Sequence, residues 1–280
     1  MTGVPTMRFP PPDSVWLDVP DRALAVGAHP DDIEFGAGAT LARWAEAGCQ
    51  VSFVVCTDGS KGTWDPHADT AALVATRQGE ARTAARTLGA TGDVIFLGRT
   101  DGELENDRAV RSELARAIRQ IRPDVLLGHD PWKRYRLHPD HRAAGFLTCD
   151  ALVAARDPHF FPEHDMVPHR PSALLLFEAD EPNHAEPAEE RHLMSRIAAL
   201  ESHRSQYEST MFITDREPPA PDTGTGTDTG TGGTDGTGAG HEPPPSVAAF
   251  RAEQRLALEM QGRWADTALA EAFRLLPTDR

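Results

Sequence analysis

Short apolar runs alternate with longer segments of helical period along the first two hundred residues. Five runs, at 23–27, 51–56, 93–97, 125–128 and 173–177, are almost wholly apolar, as expected of strands buried on both faces. Between them the periodicity predicts helices over 39–48, 70–88, 107–121, 141–155 and 189–207. The clearest is 107–121, where Val110, Leu114, Ile118 and Ile121 form one stripe at 3.6-residue spacing. Strand and helix in alternation imply right-handed βαβ units. The expected architecture is α/β, a Rossmann-like three-layer fold with a mostly parallel sheet. Such sheets bind ligands in the loops that leave the carboxyl ends of the strands, at the point where strand order reverses.

The pattern breaks at both ends. Residues 1–20 are Pro-rich and read as an N-terminal extension to a main domain at 21–215. Within 222–240, 8 of 19 residues are Gly and 7 are Thr. That composition buries too little apolar surface to offset chain entropy, so 216–245 is expected to be a disordered linker. Beyond it, Phe250, Leu256, Leu258, Met260 and Trp264 predict a helical C-terminal segment over 246–280.

The formal net charge of −15 argues against a nucleic-acid partner, which would call for a basic stripe. A third of it is uninformative, because five acids and no Lys or Arg fall within 217–250. No apolar run reaches the 18 residues that a membrane helix needs, and the N-terminus lacks a signal-peptide pattern. Cys49, Cys56 and Cys149 show neither metal nor redox spacing, so free thiols in a reducing, cytoplasmic compartment are expected. All basic residues but Lys61 and Lys133 are Arg, a bias expected of a GC-rich bacterial genome.

Two segments carry chemistry. Ala28-His29-Pro30-Asp31-Asp32 directly follows the first strand, and His138-Pro139-Asp140-His141 follows the fourth. Those two strands are neighbours at a switch point, so the segments should face each other across one crevice. A catalytic zinc takes three protein ligands from His and carboxylate and keeps one position open. Adjacent residues in a turn point apart, so one of Asp31 and Asp32 can bind metal while the other faces the attacking water. A lone His-Pro-Asp turn is common; two of them after two strands of a parallel sheet point to metal-assisted hydrolysis.

These two motifs, in this order, resemble the PIG-L / LmbE-like family of zinc-dependent N-deacetylases. The resemblance covers about residues 23–210 and includes Thr57-Asp58-Gly59, Arg77-Gln78-Gly79-Glu80 and Asp101-Gly102. It implies removal of an acetyl group from an N-acetylglucosamine-type substrate or its conjugate, a small molecule. By motif position it implies that His29, Asp32 and His141 bind zinc, with Fe2+ also suited to two His and one Asp. Asp31 would be the general base and His138 the group that stabilises the tetrahedral intermediate. Asp140 would orient a motif histidine, and Arg77 and Asp101 would meet substrate hydroxyls. The family includes monomers and larger assemblies, so a homo-oligomer is open.

Plainer readings exist for several residues. Arg77 and Glu80 are spaced for a surface pair, and Asp101-Gly102 for a simple turn. Trp132 and Tyr135 precede the second motif, where they would stack on a sugar or anchor the loop. His159, His164 and His169 lie in a Pro-rich loop without matching carboxylates. His192 and His203 are spaced for one exposed helix face. Gly36-Ala37-Gly38 starts a dinucleotide fingerprint, but Leu41 stands where the third glycine belongs, and there is no phosphate loop. The competing functions are an amidase acting on a larger acyl group and a non-catalytic Rossmann-like binding module.

Overall fold

A computed structural model of the chain describes residues 9–215 and 243–278. Its elements run β1 (Ser14–Val15), β2 (Arg22–Gly27), α1 (Asp32–Glu46), β3 (Gln50–Thr57), α2 (Thr70–Thr87), β4 (Val94–Arg99), α3 (Arg108–Ile121), β5 (Val125–His129) and α4 (Pro139–Arg156). They continue through β6 (Ala173–Phe177), β7 (His184–Ala188), α5 (Glu190–Leu200), α6 (Pro245–Trp264) and β8 (Leu269–Pro277). The α2 and α3 starts follow from Asp69 and Asp107, whose carboxylates accept the first free helix N–H groups.

One eight-stranded sheet has the order β1-β7-β8-β6-β5-β2-β3-β4. Every pairing is parallel except those of β8, which runs antiparallel to β6 and β7. Strand β2 advances through α1 to β3 on one side and lies beside β5 on the other, so the switch point falls between β2 and β5. This is the expected three-layer α/β fold.

Period-2 alternation sorts the strand side chains into two cores. Leu24, Val26, Leu126, Leu174 and Leu176 face α3 and α4 and meet the Val110, Leu114 and Ile118 stripe. Ala23, Ala25, Phe53, Leu127, Leu175 and Phe177 face the other way, onto Ile33, Leu41 and Trp44 of α1 and Ala84 and Ala85 of α2. Each fully buried Leu, Ile or Phe contributes about 1.5–3 kcal/mol.

Two expectations at the ends change. The C-terminal segment is helical only as far as Trp264; 269–277 is a strand. Leu269, Ala270, Ala272 and Phe273 are buried there because the sheet offers a pairing edge between β6 and β7, which outweighs local helix propensity. The N-terminal extension supplies an edge strand, as Ser14 and Val15 pair with His184 and Ala185. Of the expected linker, 216–242 lies outside the described residues, and α6 begins at Pro245. Among the described residues no helix is long and apolar enough to cross a membrane.

Candidate active site

The loop between β2 and α1 is held from both sides. Thr57, at the end of β3, donates its hydroxyl and its N–H to Ala28 O at 2.9 and 2.8 Å. Asp32 Oδ2 accepts the His29 N–H at 2.6 Å, which closes the turn. Asp31 sits between them at φ 115°, a conformation that side-chain-bearing residues avoid. Such strain persists where surrounding contacts over-determine it. Arg77, buried on α2, supplies them: it donates to Gly59 O at 2.9 Å and Pro30 O at 2.7 Å, and its Nη2 lies 3.3 Å from Asp31 Oδ2. Arg77 and Glu80 therefore form no surface pair. Glu80 instead accepts from the N–H and hydroxyl of Ser205.

The second motif opens α4. His138 is the N-cap, its Nδ1 accepting the Asp140 N–H at 3.3 Å, and Pro139 occupies the first turn, where its missing N–H costs nothing. Asp140 is fully buried and accepts the N–H groups of Gly102 and Leu104 at 2.6 and 3.1 Å. Its Oδ2 also lies 3.1 Å from His29 Nε2, and Asp101 Oδ1 lies 3.3 Å from the same nitrogen. The motif histidine beside Asp140 is thus His29.

The two motifs meet across the switch point. His29 Nδ1 lies 3.3 Å from Asp32 Oδ2, His141 Nε2 lies 3.2 Å from Asp32 Oδ1, and the two nitrogens are 3.2 Å apart. Donors bound at 2.0–2.1 Å to one four-coordinate ion stand about 3.3–3.4 Å from each other. The two histidine nitrogens have that spacing, each beside a different Asp32 oxygen, and the donor set suits a divalent metal. The carboxylates on His29 Nε2 leave Nδ1 free to coordinate, the arrangement that metal-binding histidines favour. Three overlapping groupings bring ligand atoms within 4.8 Å of one another: His29 with His138 and His141; His29 with Asp101, His138 and Asp140; and Asp32 with His129 and His141. In these, His138 Nδ1 already accepts the Asp140 N–H, and His129 Nε2 lies 3.4 Å from the Ala28 N–H.

Electrostatics divide the two adjacent aspartates. Burial lifts the Asp31 carboxyl to about 6 despite Arg77 beside it. Burial would also lift Asp32, but His141, His129 and His29 outweigh it and hold that carboxyl well below its usual range. His138 is lowered by burial and then by His29 and His141. Because Nδ1 accepts a hydrogen bond, Nε2 carries the proton in the neutral ring.

A cavity of about 640 Å³ opens over these groups, lined also by Lys61, Trp64, Gln206, Ser209 and Thr210. Asp101 and Arg77 line it. Lys61 pairs with Glu103 at 3.0 Å, and Lys133 lines an adjoining cavity. Trp132 and Tyr135 are exposed, at 58% and 94% of their surfaces, and line none of the cavity wall. His192 and His203 differ from their expected exposure. Both are buried, His203 against Glu34 at 3.2 Å, while His164 accepts from Arg119.

Sequence reasoning passed over His129 and Glu178. His129 Nε2 is 3.1 Å from Asp32 Oδ2, and Arg136 lies between His129, His141 and Glu178. Both residues stand at the carboxyl ends of parallel strands, β5 and β6, so the positional rule that selected residues 28–32 would have found them.

Comparison with known proteins places the chain in a family. The profile of the GlcNAc-PI de-N-acetylase family, PIG-L, matches residues 24–152. The diacetylchitobiose deacetylase of Thermococcus kodakarensis is 33% identical over 190 residues, which is 66% of this chain and 70% of that protein. The chain belongs to the PIG-L family. A 1D-myo-inositol 2-acetamido-2-deoxy-alpha-D-glucopyranoside deacetylase of Kineococcus radiotolerans is 38% identical over 170 residues, 50% of this chain but only 46% of that protein. The crystal structure of N,N'-diacetylchitobiose deacetylase from Pyrococcus horikoshii superposes with a TM-score of 0.74 at 25% identity, covering 92% of this chain and 84% of that one. The PIG-L profile ends inside α4, so α5, α6 and β8 lie outside the segment it matches.

Proposed function

We propose that this PIG-L protein is a metal-dependent deacetylase that hydrolyses the acetamide of a small N-acetylglucosamine-type sugar or its conjugate. The observation that carries the reading is that His29 Nδ1 and His141 Nε2 meet at 3.2 Å, each 3.2–3.3 Å from an Asp32 oxygen, with the strained, buried Asp31 alongside. His29, Asp32 and His141 would hold the metal, zinc or iron(II). When bound, such an ion acidifies water and polarises a carbonyl oxygen.

The chain's own groups supply the rest. Asp31, with its carboxyl near pH 6, is ionised at neutral pH yet basic enough to take a proton from water as the oxygen joins the acetamide carbon. Arg77 holds Asp31 in its strained conformation. His138 offers Nε2–H to the developing oxyanion. As the C–N bond breaks, the nitrogen leaves as an amine after taking the proton that Asp31 drew from water, which restores the ionised carboxylate. Asp140 and Asp101 keep the His29 ring oriented. Acetate and the free amino sugar are the products.

The test is acetate release from N,N'-diacetylchitobiose and from an N-acetylglucosaminyl-inositol by metal-quantified protein, before and after chelation. Release that chelator abolishes is expected. A metal-loaded protein that frees no acetate from any N-acetylglucosamine conjugate would refute the reading.

A further inference from the structure

Helix α1 carries Asp32 in its first turn, and it is not continuous. Ala37 has φ −149° and ψ 16°, outside the helical region, so the helix is broken one turn after it begins. A break strands N–H groups below it and carbonyls above it, and buried ones need partners. Three of these groups find partners on α5 and β8. Glu271 of β8 accepts the Ala39 N–H at Oε1, 3.0 Å, and the Thr40 N–H at Oε2, 2.8 Å. Arg196 of α5 donates from Nη2 to Phe35 O at 2.9 Å. Its Nη1 meets Glu271 Oε1 at 3.1 Å, and Nη2 also reaches Gln254 Oε1 of α6 at 3.0 Å. All three side chains are buried: Glu271 is 1% exposed, Arg196 5% and Gln254 6%.

The glycines either side of the break fit the same purpose. A Cβ at Gly36 would stand 2.4 Å from the Phe177 ring, and one at Gly38 would stand 2.9 Å from Arg196 Cγ. The broken segment thus sits hard against β6 on one side and Arg196 on the other.

We propose that Glu271 and Arg196 are positioning residues of the reaction: they clamp the break in α1 and so fix Asp31 and Asp32 against His29 and His141. The carboxylate acts as the N-cap of the second half of α1, and the guanidinium as the C-cap of the first turn. Exchanging the carboxyl group that bridges two buried N–H groups for an amide leaves one of them unpaired, which is costly. The first turn, freed from its anchor, takes Asp31 and Asp32 with it. Misplacement of about 1 Å in a catalytic group costs on the order of a hundredfold in rate.

The inference rests on the metal-deacetylase reading, and its test separates the two. The full chain is loaded with Co2+, and the visible d–d absorption and acetate-release kinetics of the parent are compared with those of Glu271→Gln. The expected result is a folded variant with an altered cobalt spectrum and kcat lowered tenfold to a hundredfold, while KM stays within about twofold. Should Glu271→Gln fail to fold, Arg196→Lys gives the same readouts. It keeps the charge facing Glu271 but lacks the second nitrogen for Phe35 O. A folded variant whose cobalt spectrum and kcat match the parent overturns the clamp, whatever its melting temperature. A parent that binds no cobalt, or releases no acetate, overturns the underlying reading instead.

Discussion

Substituting Asp31 by Asn should make the metal-free protein more stable and the enzyme nearly inactive. Burial raises the Asp31 carboxyl from 3.8 to about 6. Each pKa unit is worth about 1.4 kcal/mol, so the ionised group costs the fold about 3 kcal/mol at pH 8. The sign follows from the direction of the shift. A raised carboxyl disfavours folding only when ionised, so the cost is nearly absent below about pH 4, grows between about 4 and 6, and is complete above 6. At pH 5 roughly half of it is felt. Asn removes this term, and its side-chain oxygen can still accept from Arg77. Chelated Asp31→Asn should therefore melt higher than the chelated parent at pH 8. For a protein of this size about 3 kcal/mol sets an upper bound near 10 °C, and the gap should narrow as pH falls to 5. Acetate release should drop at least a hundredfold, the usual worth of a general base, while metal content by elemental analysis stays at the parent level. A variant that melts lower than the parent at pH 8 would refute the burial argument. One that keeps more than a tenth of parental kcat would refute the role of Asp31 as base.

Other substitutions separate ligands, supports and scaffold. His141→Ala removes one donor of the set and should lose bound metal on dialysis; full occupancy by elemental analysis would show that the ligand set is wrong. Arg77→Lys cannot bridge Gly59 O, Pro30 O and Asp31 at once, so kcat should fall tenfold or more with KM little changed. A rise in KM alone would instead give Arg77 to the substrate hydroxyls. Arg119 donates to the carbonyls of Ala154, Ala155, Asp157, Phe160 and Phe161 behind α4. Arg119→Ala should lower stability by about 3–5 kcal/mol in a denaturant melt, with acetate release per folded molecule unchanged.

Local pattern carried far in this chain. The stripe of α3 and the apolar runs of the parallel strands announced the α/β fold, because burial on both sheet faces leaves a signature that needs no partner to be read. The two motifs were visible for a related reason. A turn that feeds a helix from a strand end is short in sequence, so His29, Asp31 and Asp32 arrive together, as do His138, Asp140 and His141. Which ring Asp140 would orient, and whether Arg77 would face solvent or Asp31, depended on loops brought together from 36 to 111 positions apart.

The C-terminal region shows the other side of the same physics. Residues 269–277 read as the end of a helix, yet they become a strand because β6 and β7 leave hydrogen-bonding edges that only the assembled sheet presents. Glu271 then lands 232 residues away from Ala39, where its carboxylate takes up N–H groups that a break in α1 exposes. Chemistry carried by contiguous residues was legible from their order. Chemistry that arises when distant backbone groups lose their helical partners is created by folding, since no residue type marks in advance a hydrogen bond that a neighbouring helix turn fails to make.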